Sequence, residues 1–247
     1  MTVEESDVHL AERLATEAGR ILLELQRSGG LDGKCLGKAG DEQANAFLMQ
    51  ALREARPHDA ILSEEEKDSH DRLAAKRVWI IDPLDGTREY GEGRIDWAVH
   101  VALAINGVAT VGAVSLPGLD VTLTSGNPLA LAPPNTPLRM LVSRTRPAAE
   151  AIEVAALLGA ELVPMGSAGA KAMAVVRGEA DIYLHTGGQY EWDNCAPAAV
   201  ALAAGLHVSR VDGSPMRYNN ENTSLPDLLI CRPELAEIAL RAVAARG

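Results

Sequence analysis

The chain is poor in aromatics: one Phe, four Tyr and three Trp among 247 residues, or 3 %. It therefore has no series of rings on which the bases of a single strand could stack. Positive charge is also scarce. Lys and Arg number 23 against 34 for Asp and Glu, a formal net charge of −11. That excludes a surface built to track a nucleic-acid polymer, though not a local basic pocket for a small anion. Cysteine is confined to Cys35, Cys195 and Cys231. An odd number at distant positions makes neither a CxxC zinc pattern nor a disulfide framework, and the expected setting is a reducing cytoplasm. No apolar run reaches the roughly 18 residues of a membrane span. The start, Met1-Thr2-Val3-Glu4-Glu5, lacks the basic-then-apolar order of a secretion signal. What is plentiful is ordinary core material. With 47 % apolar and 23 % charged residues, the chain suits one large domain or two small ones and is not mainly disordered.

The apolar spacing predicts an amphipathic helix from Asp7 to Leu25, stopped at Gly29-Gly30. Residues 33–40 read as a Gly-rich loop, with Asp41 as the N-cap of a second helix. Ala60-Ile61-Leu62 and Val78-Trp79-Ile80-Ile81 read as short buried strands. Residues 98–105 and 108–116 flank Asn106-Gly107, a favoured hairpin turn, and a third strand is expected at about 120–124. Pro128, Pro133-Pro134 and Pro137 suggest a boundary between an α+β domain, 1–130, and an α/β domain, 131–247. In the second, strands at 140–142, 162–163 and 182–184 alternate with helices at 147–158, 170–176 and 192–204.

The segment that carries chemistry is Asp82-Pro83-Leu84-Asp85-Gly86-Thr87, directly after a buried strand. Two carboxylates at a strand end, beside Pro and Gly, contribute little to packing. Together with a backbone carbonyl and a hydroxyl they suit a hard cation such as Mg²⁺. Ser63-Glu64-Glu65-Glu66 follows its own strand, and Glu191-Trp192-Asp193 lies at a strand-to-helix turn. If the first two strands are neighbours, Glu64 meets Asp82. Glu64, Asp82, Asp85 and Asp193 around one point would repel one another unless cations fill the site.

These three motifs, in this order and spacing, resemble those of the inositol monophosphatase-like superfamily of metal-dependent phosphatases. The resemblance covers nearly the whole chain and implies a layered αβαβα sandwich. Thr87-Arg88-Glu89-Tyr90, the string from Gly188 to Pro197, and Leu228 to Pro233 are similar to bacterial CysQ-type 3′(2′),5′-bisphosphate nucleotidases, closest to actinobacterial members. The implied metal ligands are Glu64, Asp82, Asp85, Asp193 and the Leu84 carbonyl, with Glu65 acting through a water. They would hold two or three Mg²⁺, with Li⁺ an expected inhibitor. The implied reaction removes the 3′-phosphate of adenosine 3′,5′-bisphosphate (PAP), or of its sulfated form PAPS, by attack of a metal-activated water. It would serve sulfate assimilation. Asp41 and Thr87 would be catalytic together with Glu64, Asp41 taking the proton and Thr87 orienting the water.

The implied phosphate and substrate contacts are Gly86, Thr87, Ser143, Arg144, Ser167, Lys171 and Asp193. Arg146 stands at the same predicted strand end as Ser143 and Arg144. His185, His207 and Tyr190 are candidates for facing a base, and Cys195 reads as a small buried thiol. The partner expected is a small phosphorylated nucleotide, with no nucleic-acid polymer and no membrane, and the chain a monomer or homodimer. Two alternatives remain at this point: a phosphatase of inositol 1-phosphate or fructose 1,6-bisphosphate, and a non-catalytic anion-binding module. The family's usual Ser-Pro-Val-Thr loop is replaced here by the shorter Gly37-Lys38-Ala39-Gly40-Asp41.

Overall fold

The computed structural model describes residues 5–245; residues 1–4, part of the start read above for a secretion signal, lie outside them. Two long helices open the chain, α1 (Asp7–Ser28) and α2 (Gly33–Ala55). Then come β1 (Ala60–Ser63), β2 (Arg77–Asp85), the short α3 (Thr87–Gly91), β3 (Ala98–Ile105), β4 (Val108–Leu116) and β5 (Val121–Thr124). The rest runs β6 (Arg139–Ser143), α4 (Ala149–Leu158), β7 (Glu161–Met165), α5 (Ala168–Val176), β8 (Ile182–Tyr190) and α6 (Glu191–Ala203). It ends with β9 (His207–Ser209), β10 (Ser224–Cys231) and α7 (Pro233–Ala244). The sequence reading assigned no element after residue 204.

The strands form two sheets, ordered β1-β2-β3-β4-β5 and β7-β6-β8-β10-β9. Alternation along β2 explains the layers. Trp79 and Ile81 face α1 and α2, sharing a core with Leu10, Leu14, Leu48 and Leu52. Val78 and Ile80 face the opposite way, into a core built with α5, α6 and the inner face of the second sheet. The outer face of that sheet, with Met140, Ile182 and Leu229, is covered by α4 and α7. A strand covered on both faces reads as a continuous apolar run, which is why the period of two is hidden in the sequence. The result is five layers, helix–sheet–helix–sheet–helix. The hairpin turn falls at Asn106-Gly107, both with positive φ, 51° and 76°.

Residues 33–40 are not a loop. They form the first turns of α2, whose N-cap is Asp32, so Asp41 lies inside the helix and caps nothing. Gly37 and Gly40 serve close approach. A Cβ on Gly37 would stand 2.7 Å from Thr87 Cγ2, and one on Gly40 2.9 Å from Tyr90 Cε1 and 3.0 Å from Leu84 Cδ2. Tertiary packing against α3 and β2 overrides their weak helix propensity.

Candidate metal centre and substrate pocket

β1 and β2 are parallel, with Ser63 opposite Ile81. The residues that follow them, Glu64 and Asp82, are thereby brought side by side, and Glu64 N donates to the Ile81 carbonyl at 3.4 Å. Asp82 and Asp85 are three apart and in a regular strand would point to opposite faces. Instead, Asp82 pairs with His100 and Asp85 with Ala98, so β2 carries one residue more than β3 between the two pairs. This bulge turns both carboxylates to one side. Asp193, in the first turn of α6, completes the group: Asp82, Asp85 and Asp193 each offer an oxygen within 4.8 Å of the others. Glu64 stands at its edge, beside Asp82.

Crowding of like charges shows in the proton affinities. Burial, then the charges of Glu64, Asp85 and Asp193, push Asp82 well above the carboxylate range. Burial and Asp193 raise Glu64 to about 7. Burial and Asp85 raise Asp193 to about 6. Asp85 goes the other way. Burial opposes its charge, but His100, the Ser167 hydroxyl and the Gly169 amide outweigh that and hold it at about 2. It accepts from Ser167 Oγ at 2.5 Å, Gly169 N at 2.6 Å and Ala168 N at 3.1 Å, which tie β2 to the start of α5. A set of hard oxygens with unbalanced negative charge fits Mg²⁺ or Mn²⁺ better than a metal that prefers nitrogen or sulfur.

Gly86 turns the chain at φ +91° between Ser167 and Trp97, whose Cβ atoms lie 3.2 and 3.3 Å from where its own Cβ would be. Thr87 then opens α3. Its hydroxyl is within hydrogen-bond reach of the Leu84 carbonyl at 3.2 Å and of Asp41 Oδ1 at 3.5 Å. Burial, with the charges of Glu65 and Glu64, raises Asp41 to about 7.

The model of the inositol monophosphatase family matches residues 5–245. The chain belongs to that family. It is 50 % identical over 257 residues to the 3'-phosphoadenosine 5'-phosphate phosphatase of Mycobacterium leprae (strain TN), spanning 97 % of this chain and 94 % of that one. It is 30 % identical over 200 residues to the 3'(2'),5'-bisphosphate nucleotidase CysQ of Escherichia coli (strain K12), spanning 76 % and 81 %. The crystal structure of CysQ from Bacteroides thetaiotaomicron superposes with a TM-score of 0.80 over 94 % of this chain and 98 % of that one; at 24 % identity this is a likeness of fold. The layered sandwich is thus the family's fold, and the mycobacterial relative agrees with the actinobacterial resemblance.

α3 and the ends of β6 and β7 supply walls of a pocket. Arg88, Ser143, Arg144, Arg146, Ser167 and Lys171 line a cavity of about 430 Å³. Arg144 is not free there: its guanidinium holds Glu89 at 2.8 Å and Glu92 at 2.9 Å. Lys171 is buried, with Nζ donating to the carbonyls of Gly166 and Ser167 at 3.2 and 2.6 Å. Tyr190 is half-exposed and stacks on Trp192, with ring centroids 4.8 Å apart. His185 lies on β8 and is partly buried, and burial and Lys171 lower its pKa. His207 lies on β9, with Nε2 2.8 Å from Ser209 Oγ. Cys195 is fully buried.

Two residues have a part that the sequence did not assign. Glu191, also fully buried, accepts from the amides of Asn219 and Asn220 at 2.7 and 2.8 Å and so anchors the start of α6. His100 is the other. It sits in an apolar run, and nothing in that pattern distinguishes it from a core residue. Burial opposes its charge, but the neighbouring Asp85 carboxylate leaves its pKa raised.

Proposed function

We propose that the chain is a Mg²⁺-dependent phosphatase that removes the 3′-phosphate of PAP, leaving adenosine 5′-phosphate and inorganic phosphate. The observation that carries the reading is the convergence of Asp82, Asp85 and Asp193 within 4.8 Å, beside a threonine and a half-buried acid. Asp82, Asp85, Asp193, Glu64 and the Leu84 carbonyl would hold the cations, two or three in number. When bound, these ions neutralise phosphoryl charge and make water a stronger nucleophile. A non-catalytic anion-binding module would have no use for an acidic cluster paired with Thr87 and Asp41.

The chain's own groups account for the rest. The amides of Gly86 and Thr87 hold the phosphate. The Thr87 hydroxyl turns its proton from the Leu84 carbonyl to Asp41, accepts from a water aimed at phosphorus, and relays that water's proton to Asp41. The water oxygen bonds to phosphorus, the bond to the 3′-oxygen breaks, and that oxygen takes a proton from bulk water, to which Asp41 returns the one it accepted. Arg146 and Ser143 in the cavity suit the distant 5′-phosphate, with Arg144 released to it from Glu89 and Glu92. Lys171 acts as a fixed buried charge behind Ser167. The exposed face of Tyr190 on Trp192 offers a stacking surface for adenine.

The nucleotide reading is favoured over a sugar phosphate by the activity named for the half-identical M. leprae relative and by the arginines of the cavity. Hydrolysis of PAPS, a role in sulfate assimilation in the cytoplasm and inhibition by Li⁺ belong to the same proposal. The test is phosphate release from PAP, inositol 1-phosphate and fructose 1,6-bisphosphate, each with Mg²⁺ and with EDTA. PAP should lead by more than about tenfold, about 1.4 kcal/mol in barrier, and EDTA should abolish release. A lead for either sugar phosphate would overturn the substrate assignment. Activity persisting in EDTA would overturn the metal.

A further inference from the structure

His100 belongs to none of the motifs that point to the carboxylate cluster, yet it touches both segments that carry the three carboxylates, β2 and α6. It is fully buried on β3 and lies opposite Asp82 in the sheet register. Its Nδ1 is 2.9 Å from the Trp192 carbonyl, one residue before Asp193. A carbonyl only accepts, so Nδ1 is the donor. Its Nε2 is 3.2 Å from Asp85 Oδ2, off the line of a well-formed hydrogen bond and without another partner among the described residues. Gly169 closes over the ring: a Cβ there would stand 2.0 Å from Nε2. The imidazole is thus held on several sides, with one nitrogen on α6 and the other aimed at the cluster.

α6 has a reason to need support at this point. Pro197 lies inside it. Proline has no N–H, so the carbonyl four residues earlier, that of Asp193, loses its helical donor, and the ring crowds the same turn. The first turn is therefore held by side-chain contacts. The Asp193 carboxylate accepts from Tyr190 N, Glu191 binds the amides of Asn219 and Asn220, and His100 takes the Trp192 carbonyl. Of these three ties, only His100 reaches the first sheet, where Asp82 and Asp85 stand.

We propose that His100 is a positioning residue of the cation centre, a strut that fixes α6, and with it Asp193, against β2 so that the three carboxylates meet one cation together. The inference rests on the metal reading above. Partners that orient ligands in this way typically change metal affinity by about 10–100-fold when removed.

The test is Mn²⁺ binding to the full chain without substrate, followed by electron paramagnetic resonance, with Tm measured alongside. Two polar variants separate the links. His100→Asn keeps an amide donor near the position of Nδ1. His100→Gln withdraws it from the Trp192 carbonyl while reaching toward Asp85. The strut predicts Mn²⁺ affinity within about threefold of wild type for Asn and a loss of about tenfold or more for Gln, with KM for PAP little changed in both. Wild-type affinity in both variants, or an equal loss in both that follows Tm, would overturn the positioning role and leave the cation centre intact. A wild-type chain that binds no Mn²⁺ would overturn the cation centre itself, and this proposal with it.

Discussion

Asp41 and Thr87 set the clearest expectations at the scale of single residues. If Asp41 accepts the proton, Asp41→Asn lowers kcat by about 10²–10⁴-fold with little change in KM. Burial among Glu65 and Glu64 raises the carboxyl to about 7 in the metal-free chain, and bound cations draw it down from there, so kcat/KM should climb as pH rises toward 7 and the base form fills. That limb should vanish in the Asn variant. Thr87→Val should behave like Asp41→Asn and Thr87→Ser should retain most activity; steady-state kinetics across pH checks both. The carboxylates were legible in the sequence because two acids at a strand end beside Pro83 and Gly86 have no packing use. The anchoring part of Glu191 and any part for His100 were not legible. A buried acid held by two backbone amides, or a histidine inside an apolar run, announces itself only when its partners are seen.

The elements explain how a string of residues becomes a site. The bulge that turns Asp82 and Asp85 to one side needs a partner strand to define it, so the motif was readable and its geometry was not. The opposite error occurred in α2, where Gly33, Gly37 and Gly40 suggested a loop. At Gly37 and Gly40 the missing Cβ serves contact with Thr87 and Tyr90, while Gly33 opens the helix at φ +50°. Replacing glycine by alanine within a helix ordinarily stabilises by about 0.5–1 kcal/mol. Gly37→Ala should do the reverse, because its Cβ would meet Thr87 Cγ2 at 2.7 Å. The expected outcome is a lower Tm together with a drop in kcat of tenfold or more, as Thr87 is displaced. A higher Tm with unchanged kcat would show that α2 yields without disturbing α3.

For the molecule as a whole, the cluster trades stability for function. Asp41, Glu64 and Asp193 hold protons more tightly folded, at about 7, 7 and 6, than their ordinary values of 3.8 to 4.5. The folded chain therefore binds more protons than the unfolded one between about pH 4 and 7, and the metal-free fold loses stability as pH rises through that window. Cations remove the repulsion and favour the folded state by mass action. Thermal melts in EDTA should give a lower Tm at pH 7.5 than at pH 5, and Mg²⁺ should raise Tm more at pH 7.5. Asp41→Asn should raise the EDTA Tm at pH 7.5. The five-layer plan was foreseen only through the family resemblance, since alternation along β2 is masked where both faces are covered. Everything at the site depends on the carboxylates of β2 and α6 sharing cations. Anomalous diffraction from crystals soaked in Mn²⁺ tests it most directly. It should show peaks bounded by Asp82, Asp85 and Asp193, with Glu64 and the Leu84 carbonyl in contact. A fully occupied lattice without a peak among those carboxylates would contradict it.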